Sequence, residues 1–328
     1  MGTRRSTVRA VSQEDRRGPV MVIGGAEDKL RDRVILGRFV SLAGGPGGHI
    51  VVVSTASSLG EEATNLYREI FLQAGVGRVS GLRPLTREEA DDAAAAALID
   101  EATGIFLTGG NQLKLSLVVG GTALGDALLR ANRRGVVVAG TSAGASAVST
   151  HMVAFGASGA TPKHRMVQIS AGLGLLEGIV VDQHFEQRTR LGRLLAVVAQ
   201  SPSLLGVGLD EDTAAIVDAD QLLEVLGRGA VTIIDGTQVR TDAFQTKGHR
   251  PMMVSGAILH SLPSGYRFDI RARMLLPDVQ KPIRATVRAE QAKRQVAKLA
   301  RTIAAEGADS LAMERSRRRR HEEREASE

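Results

Sequence analysis

Short apolar runs alternate with longer segments of mixed polarity along the first 200 residues of the chain. Five runs rich in Val and Ile have the length and β-branched character of buried strands: VMVIGG (20–25), HIVVVST (49–55), GIFLTGG (104–110), GVVVAGT (135–141) and GIVVDQHF (178–185). The segments 61–74, 87–102 and 121–132 between them are predicted helices. This alternation predicts an α/β fold in which a parallel sheet is sandwiched between helices on both faces.

Later apolar runs are separated by turns and predict β-hairpins appended to the sheet. They occupy residues 204–210, 213–220, 222–235 and 254–270. After Pro277 the chain becomes strongly basic, with apolar residues at loosely helical spacing over 283–303. We therefore predict three parts: a disordered basic arm (1–17), an α/β domain (18–277) and a basic, partly helical C-terminal tail (278–328).

The charge of the chain is concentrated at its two ends. The formal net charge is +6, but residues 1–17 carry +3 and residues 278–328 carry +4, which leaves −1 for residues 18–277. Aromatic residues make up 3% of the chain, so the body offers few rings on which bases could stack, and no nucleic-acid partner is expected. The sequence contains no cysteine, which excludes disulfides, thiolate metal ligands and a cysteine nucleophile.

No apolar run approaches the roughly 20 residues that a membrane-spanning helix needs. The basic N-terminal segment also lacks the apolar stretch of a secretory signal. A cytoplasmic protein without a membrane partner is therefore expected.

Gly140-Thr141-Ser142-Ala143-Gly144 lies where a predicted strand meets an alanine-rich helix. This is the G-x-S-x-G pattern, in which a sharp strand-to-helix turn presents a serine nucleophile. A glycine-rich turn with a serine helix cap has the same sequence. The pentapeptide alone leaves both interpretations open, so a base and an acid must be sought elsewhere.

His184 is the strongest candidate for the base. It follows an apolar strand and lies among polar residues, namely Asp182, Gln183, Arg188, Arg190 and Arg193. His151 and His164 follow the predicted nucleophile helix and are weaker candidates. The acid that orients the base is expected among Asp210, Glu211 and Asp212, which lie between two apolar runs.

Two glycine-rich segments bear on the remaining chemistry. TGGNQ (108–112) follows a strand and offers a backbone N–H for an oxyanion, with amides on Asn111 and Gln112 for a substrate. GGAEDKL (24–30) and GGPGG (44–48) lack the glycine spacing of phosphate-binding loops. No nucleotide cofactor is therefore expected.

Taken together, the motifs IGGAEDK, LTGGNQLKL, AGTSAGASAVS, GLGLLEGIVVDQHFEQRTRLGRLL and GVGLDEDTA resemble those of the cyanophycinases, a group of peptidase E-like serine peptidases. The resemblance spans about residues 19–277. It implies a fold like that of class I glutamine amidotransferases, a homodimer, and no metal or cofactor. It also implies hydrolysis of cyanophycin, a β-aspartyl-arginine polymer, or its oligomers to β-Asp-Arg dipeptides.

By motif position, the resemblance makes Ser142 the nucleophile, His184 the base and Glu211 the acid. The N–H groups of Gly110 and Ala143 become the oxyanion donors. The implied substrate-site residues are Asp182, Gln183, Arg188, Arg190 and Arg193, to which the TGGNQ segment adds Gln112. Either Asp182 or Glu27 is expected to receive the substrate's guanidinium or amine. Two alternatives stay open, an α-aspartyl dipeptidase like peptidase E and a non-catalytic relative that only binds peptides.

Overall fold

A computed structural model describes residues 17–276. The predicted basic arm, apart from Arg17, and the predicted tail lie outside the described residues. Within this part of the chain, no helix is long and apolar enough to cross a membrane. The helices are α1 (Val34–Leu42), α2 (Glu61–Gln73), α3 (Arg87–Ala90), α4 (Ala93–Asp100), α5 (Gln112–Val119), α6 (Ala123–Arg133), α7 (Ala143–Ala147) and α8 (Leu191–Gln200).

The strands are β1 (Val20–Ile23), β2 (His49–Val53), β3 (Arg78–Leu82), β4 (Gly104–Leu107), β5 (Val137–Thr141), β6 (His151–Gly156), β7 (Val167–Ala171), β8 (Ile179–Gln183), β9 (Leu205–Leu209), β10 (Thr213–Val217), β11 (Leu222–Gly227), β12 (Ala230–Asp235), β13 (Arg240–Thr241), β14 (Val254–Ser255), β15 (Ile258–Pro263), β16 (Arg267–Asp269) and β17 (Met274–Leu275).

The main sheet has the order β17-β16-β11-β10-β1-β5-β4-β2-β3. The five strands from β1 to β3 in this order are mutually parallel, and the four strands on the other side of β1 are antiparallel additions. Because parallel strands end at the same edge, the segments after β1, β4 and β5 are brought together there.

A second sheet has the order β15-β12-β9-β8, in which β8 and β9 are parallel. The predicted α/β class with a parallel sheet and helices is confirmed. Two details differ from the prediction. The run 178–185 forms β8 in the second sheet, and the run 204–210 forms β9 beside it instead of one arm of a hairpin. The hairpin β10–β11 does extend the main sheet as expected.

Side chains alternate across the main sheet and feed two cores. Met21 and Ile23 of β1 pack with α1 and α2 on one face. Val20 and Val22 pack with α4 to α7 and with the inner face of the second sheet on the other face. The outer face of the second sheet is covered by α8 through residues such as Val198. Successive side chains of a strand point to opposite faces of the sheet. Because both sets are apolar in β1, both faces of the main sheet are covered by other elements.

The predicted helix 87–102 is interrupted in the structure. Asp92 has an extended backbone two residues after the end of α3 and caps α4, because its carboxylate accepts the Ala94 N–H at 3.0 Å. An aspartate side chain competes in this way with a continuous helix. The strand β3 was not predicted, since RVSGL is polar and lies partly exposed at the sheet edge.

Candidate active site

Ser142 occupies the turn between β5 and α7. Its backbone has φ 51° and ψ −111°, a conformation that few residues other than glycine adopt. The Ser142 N–H donates to the Ile23 carbonyl at 2.9 Å, which continues the ladder between β5 and β1 past the end of the strand. The neighbouring strand therefore helps to hold the serine in its strained conformation.

The glycines on both sides of the serine permit this turn. A Cβ at Gly140 would lie 2.4 Å from the Gly144 carbonyl group, and a Cβ at Gly144 would lie 2.4 Å from the Leu107 carbonyl oxygen. Neither position has room for a side chain. The G-x-S-x-G spacing therefore reflects close backbone approach between β5, α7 and the end of β4.

Ser142, His184 and Glu211 form a hydrogen-bonded series. Ser142 Oγ lies 2.9 Å from His184 Nε2, and His184 Nδ1 lies 2.6 Å from Glu211 Oε1. The serine follows β5 of the main sheet, the histidine follows β8 of the second sheet, and the glutamate lies in the link from β9 to β10. A neutral imidazole that donates from Nδ1 to the carboxylate leaves Nε2 free to accept the serine proton.

Burial lowers the pKa of His184 below its usual value, and the Arg188 charge acts in the same direction. The hydrogen bond that His184 donates to Glu211 opposes this effect and raises the pKa of the imidazole. The net direction is downward. The imidazole is therefore neutral near pH 7, which is the state that a general base requires.

The three consecutive acids point to different partners. Glu211 reaches the imidazole, whereas the Asp210 carboxylate accepts the backbone N–H groups of Glu186 and Ala230 at 3.2 and 3.0 Å. The Asp212 carboxylate accepts the Asp28 N–H at 2.8 Å and pairs with Arg228 at 3.0 Å. Sequence order alone did not separate these roles.

The other candidate histidines lie away from this series. His151 is exposed on β6, and His164 Nδ1 lies 3.0 Å from the Gly248 carbonyl oxygen. The sequence places the Gly24-Gly25 pair at the end of a strand without giving it a role. A Cβ at Gly25 would lie 2.5 Å from His184 Nε2, so the backbone of Gly25 packs against the imidazole.

Two segments with candidate oxyanion donors lie next to Ser142. Ala143 is the first residue of α7, so its N–H has no acceptor within the helix. The Gly109-Gly110 segment lies against the serine, since a Cβ at Gly109 would be 3.3 Å from Ser142 Cβ. This placement suits the prediction that the Gly110 and Ala143 N–H groups bind an oxyanion.

Asp182, Gln183, Arg190 and Arg193 form a buried polar network. Asp182 is fully buried and accepts from Arg193 Nε at 2.6 Å, from Arg193 Nη2 and from Arg190 Nη1. Arg190 Nη1 also donates to the Gln183 side-chain oxygen at 2.9 Å. Burial lowers the pKa of Arg190 to about 10, so it stays charged at neutral pH. The network ties the end of β8 to the start of α8.

Arg188 and Gln112 differ from that network. Arg188 is exposed, and its backbone N–H donates to the His184 carbonyl oxygen at 3.1 Å. Gln112 begins α5, and its amide donates to the carbonyl oxygens of Val153 and Ala154 on β6 at 3.2 and 2.7 Å. Arg188 therefore differs from the buried arginines Arg190 and Arg193, because its side chain is exposed to solvent close to His184.

Glu27 is buried behind the nucleophile. Its carboxylate accepts from Thr141 Oγ1 at 2.6 Å and from Tyr67 Oη at 2.5 Å, and it pairs with Lys29 at 2.8 Å. Burial raises the pKa of Tyr67 well above its usual value, so the phenol stays protonated and donates. Glu27 and Asp182, the two acids considered for a substrate cation, each have protein partners at both oxygens.

Comparisons with known proteins decide the family. The model of peptidase family S51 matches residues 20–225. The chain belongs to peptidase family S51. Members of this family are serine-type peptidases, so the protein is a serine peptidase.

Curated relatives and one solved structure extend this result. The chain is 40% identical over 264 residues to the cyanophycinase of Trichormus variabilis, covering 80% of this chain and 89% of the relative. It is 40% identical over 261 residues to the cyanophycinase of Thermosynechococcus vestitus, covering 79% and 81%. A crystal structure of a peptidase from an acI-B1 actinobacterium superposes with a TM-score of 0.60 at 22% identity, covering 79% of this chain and 99% of that chain, which supports the fold.

Proposed function

We propose that this S51 peptidase hydrolyses cyanophycin and its oligomers to β-Asp-Arg dipeptides through an acyl-enzyme. The hydrogen-bonded series Ser142–His184–Glu211 carries the proposal, because it supplies a nucleophile, a neutral base and an orienting carboxylate at contact distance. The identity of 40% to relatives named cyanophycinase supports the choice of polymer. It favours the polymer over the α-aspartyl dipeptides of a peptidase E-like enzyme.

In this mechanism the Ser142 Oγ attacks the scissile carbonyl carbon as His184 Nε2 takes the serine proton. Glu211 keeps the imidazole in the tautomer that accepts at Nε2 and stabilises the imidazolium. The Gly110 and Ala143 N–H groups receive the oxyanion. His184 then gives its proton to the leaving amine. Water, deprotonated by the same imidazole, attacks the ester carbonyl and frees the acyl product, and the imidazole returns this proton to Ser142 Oγ.

Each unit of the polymer presents an arginine α-carboxylate and a guanidinium. Arg188 is exposed beside His184, so we assign it to a substrate carboxylate, which arginine binds through two parallel hydrogen bonds. The buried network would hold the segment that carries Arg188 in place; its members are Asp182, Gln183, Arg190 and Arg193. Gln112 would position the adjoining backbone of β6. We further propose a cytoplasmic homodimer that needs no nucleic acid, metal or cofactor.

Incubation with insoluble cyanophycin, followed by mass spectrometry of the soluble fraction, tests this proposal. We expect β-Asp-Arg as the product. Ser142→Ala should lower kcat by about 10⁶-fold, by analogy with loss of the serine in subtilisin, and leave the unfolding midpoint close to that of the wild type. Release of β-Asp-Arg by Ser142→Ala at more than a trace rate would refute the covalent mechanism.

A further inference from the structure

A cavity of about 450 Å³ opens beside the β6–β7 hairpin. Its wall includes Phe155, Ser158, Lys163, Arg165, Met166 and His249. None of these residues belongs to the hydrogen-bonded series of Ser142, His184 and Glu211. The cavity is thus a concave site that is built by other elements than the catalytic series.

Two segments far apart in sequence build its basic rim. The first is KHR (163–165) and the second is KGHR (247–250). The His164 N–H donates to the Arg250 carbonyl oxygen at 3.0 Å, and His164 Nδ1 lies 3.0 Å from the Gly248 carbonyl oxygen. These contacts place Lys163, Arg165, Lys247 and Arg250 on one surface, which we call the basic rim.

Within the described residues, no ion pair neutralises the basic rim. All four of its Lys and Arg side chains are exposed. Within residues 17–276 none of them pairs with a carboxylate, and no acidic residue lines the cavity. The nearby Asp242 carboxylate accepts the Met253 N–H at 2.7 Å. An exposed cluster of one sign in a body of net charge −1 indicates an anionic ligand group.

Phe155 adds a second kind of contact. Its side chain is large and apolar, yet the residue is 58% exposed at the cavity. The face of an aromatic ring attracts a guanidinium through its quadrupole. A basic rim beside one exposed ring therefore suits a ligand that carries a carboxylate and a guanidinium within one unit. A nucleic acid would also find phosphate contacts on the rim, so an oligonucleotide is one of the competitors in the test below.

The cavity is joined to the active site by short contacts. The Gly159 N–H donates to the Thr189 carbonyl oxygen at 2.7 Å, and the Gly192 N–H donates to the Gly159 carbonyl oxygen at 2.9 Å. Arg193 Nη1 donates to the Gly156 carbonyl oxygen at 3.1 Å. The loop that borders the cavity thus packs on the segment that follows His184 and carries Arg188.

We propose that this cavity binds a distal arginyl unit of the polymer, one that is not being cleaved. The arginine α-carboxylate lies on the basic rim and its guanidinium lies over the Phe155 ring. The proposal builds on the hydrolysis of cyanophycin proposed above and adds a second subsite to it. Its role is to hold a long chain while Ser142 acts on the terminal unit.

The full chain with Lys163→Glu/Arg165→Glu, and separately with Phe155→Ala, tests this subsite. Apparent kcat/KM is measured on insoluble polymer and on the shortest cleavable oligomer, (β-Asp-Arg)₂. We expect each variant to lose about tenfold on polymer and less than about twofold on the short oligomer. Arg133→Glu/Arg271→Glu changes the same charge at exposed positions elsewhere and should behave as the wild type.

Co-sedimentation of Ser142→Ala with polymer granules measures binding without turnover. A chain that combines Ser142→Ala with Lys163→Glu/Arg165→Glu should bind the granules about tenfold more weakly than Ser142→Ala alone. Equal losses on polymer and short oligomer, or an unchanged rate on polymer, would overturn the distal subsite. Competition by poly-L-aspartate or an oligonucleotide as strong as by soluble cyanophycin would overturn arginyl recognition. A wild type inactive on both substrates would refute the proposed function instead.

Discussion

Glu211 acts through His184, and this gives its replacement a distinct pH signature. Burial holds the pKa of His184 below its ordinary value of about 6.5, and the Glu211 hydrogen bond opposes that shift. The base works when neutral, so kcat/KM of the wild type should fall only below that pH. Glu211→Gln removes the opposing effect, and the acidic limb should move to still lower pH while kcat falls by less than in His184→Ala. Steady-state pH profiles on a soluble oligomer measure both.

Asp210→Asn is the matched control for this prediction. Its carboxylate holds the backbone N–H groups of Glu186 and Ala230 and does not reach the imidazole. We expect a lower unfolding midpoint with an acidic limb at the wild-type pH. If the acidic limb moved in Asp210→Asn and stayed in place in Glu211→Gln, the orienting role would belong to Asp210 and our assignment to Glu211 would be wrong.

Asp182 is expected to matter for stability before it matters for substrate. Asp182→Ala leaves the Arg193 and Arg190 cations buried without their carboxylate, which typically costs about 3–5 kcal/mol. Urea unfolding should show this loss. Arg188→Ala, at an exposed position, should leave stability unchanged and raise KM. Normal stability with a raised KM in Asp182→Ala would instead make Asp182 a direct substrate contact.

The turn from β5 into α7 depends on two positions without side chains. Gly144→Ala would place a Cβ 2.4 Å from the Leu107 carbonyl oxygen, and such overpacking typically costs about 1–3 kcal/mol. Because the elbow must shift, kcat should fall as well. Gly37→Ala is the control, since a Cβ there meets nothing within 4 Å inside α1 and should stabilise by about 0.5–1 kcal/mol.

Denaturation and kinetics of the two glycine variants decide this point together. Gly144→Ala with wild-type stability and kcat would show that the elbow tolerates a side chain. The contrast with Gly37 separates close backbone approach from the general effect of replacing glycine.

The sequence predicts best the strands that are buried along their whole length, because their residues form continuous apolar runs. β1, β2, β4 and β5 are short apolar runs, and the structure places them side by side in the main sheet. β3 escaped prediction because RVSGL is a half-exposed edge strand. Membership of β8 and β9 in a second sheet is a long-range pairing that no local pattern encodes.

Some residues of the candidate site can be recognised from the local sequence, and others only from the folded structure. The elbow around Ser142 has a local signature, and His184 stood out by its polar neighbours. The choice of Glu211 over Asp210 and Asp212 came from the family resemblance, since the residues alone left it open. The Asp182–Arg193 pairing and the packing of Gly25 on the imidazole depend on folded geometry. The sequence carries no signal for the Asp182–Arg193 pairing, and the GG pair after β1 marks the position of Gly25 but not its packing on the imidazole.

Removal of residues 279–328 tests whether the body is sufficient for catalysis. Every candidate site residue and the cavity beside β6–β7 lie within residues 17–276. We expect kcat/KM on a short oligomer to stay within about twofold of the wild type. Sedimentation velocity of both forms reports whether the tail contributes to the proposed homodimer. If kcat/KM fell about tenfold or more while the oligomeric state stayed the same, the catalytic domain would extend beyond Pro277 and the predicted boundary would be wrong.

Nucleophile, base and acid come from different layers of the molecule. Ser142 belongs to the main sheet, His184 to the second sheet, and Glu211 to the chain that crosses between them. Neither sheet alone holds a working set. During synthesis the chain has passed Ser142 and most of the parallel sheet long before Glu211 leaves the ribosome. A nascent chain therefore lacks the complete catalytic series until the segment after β9 has been made and the two sheets have packed together.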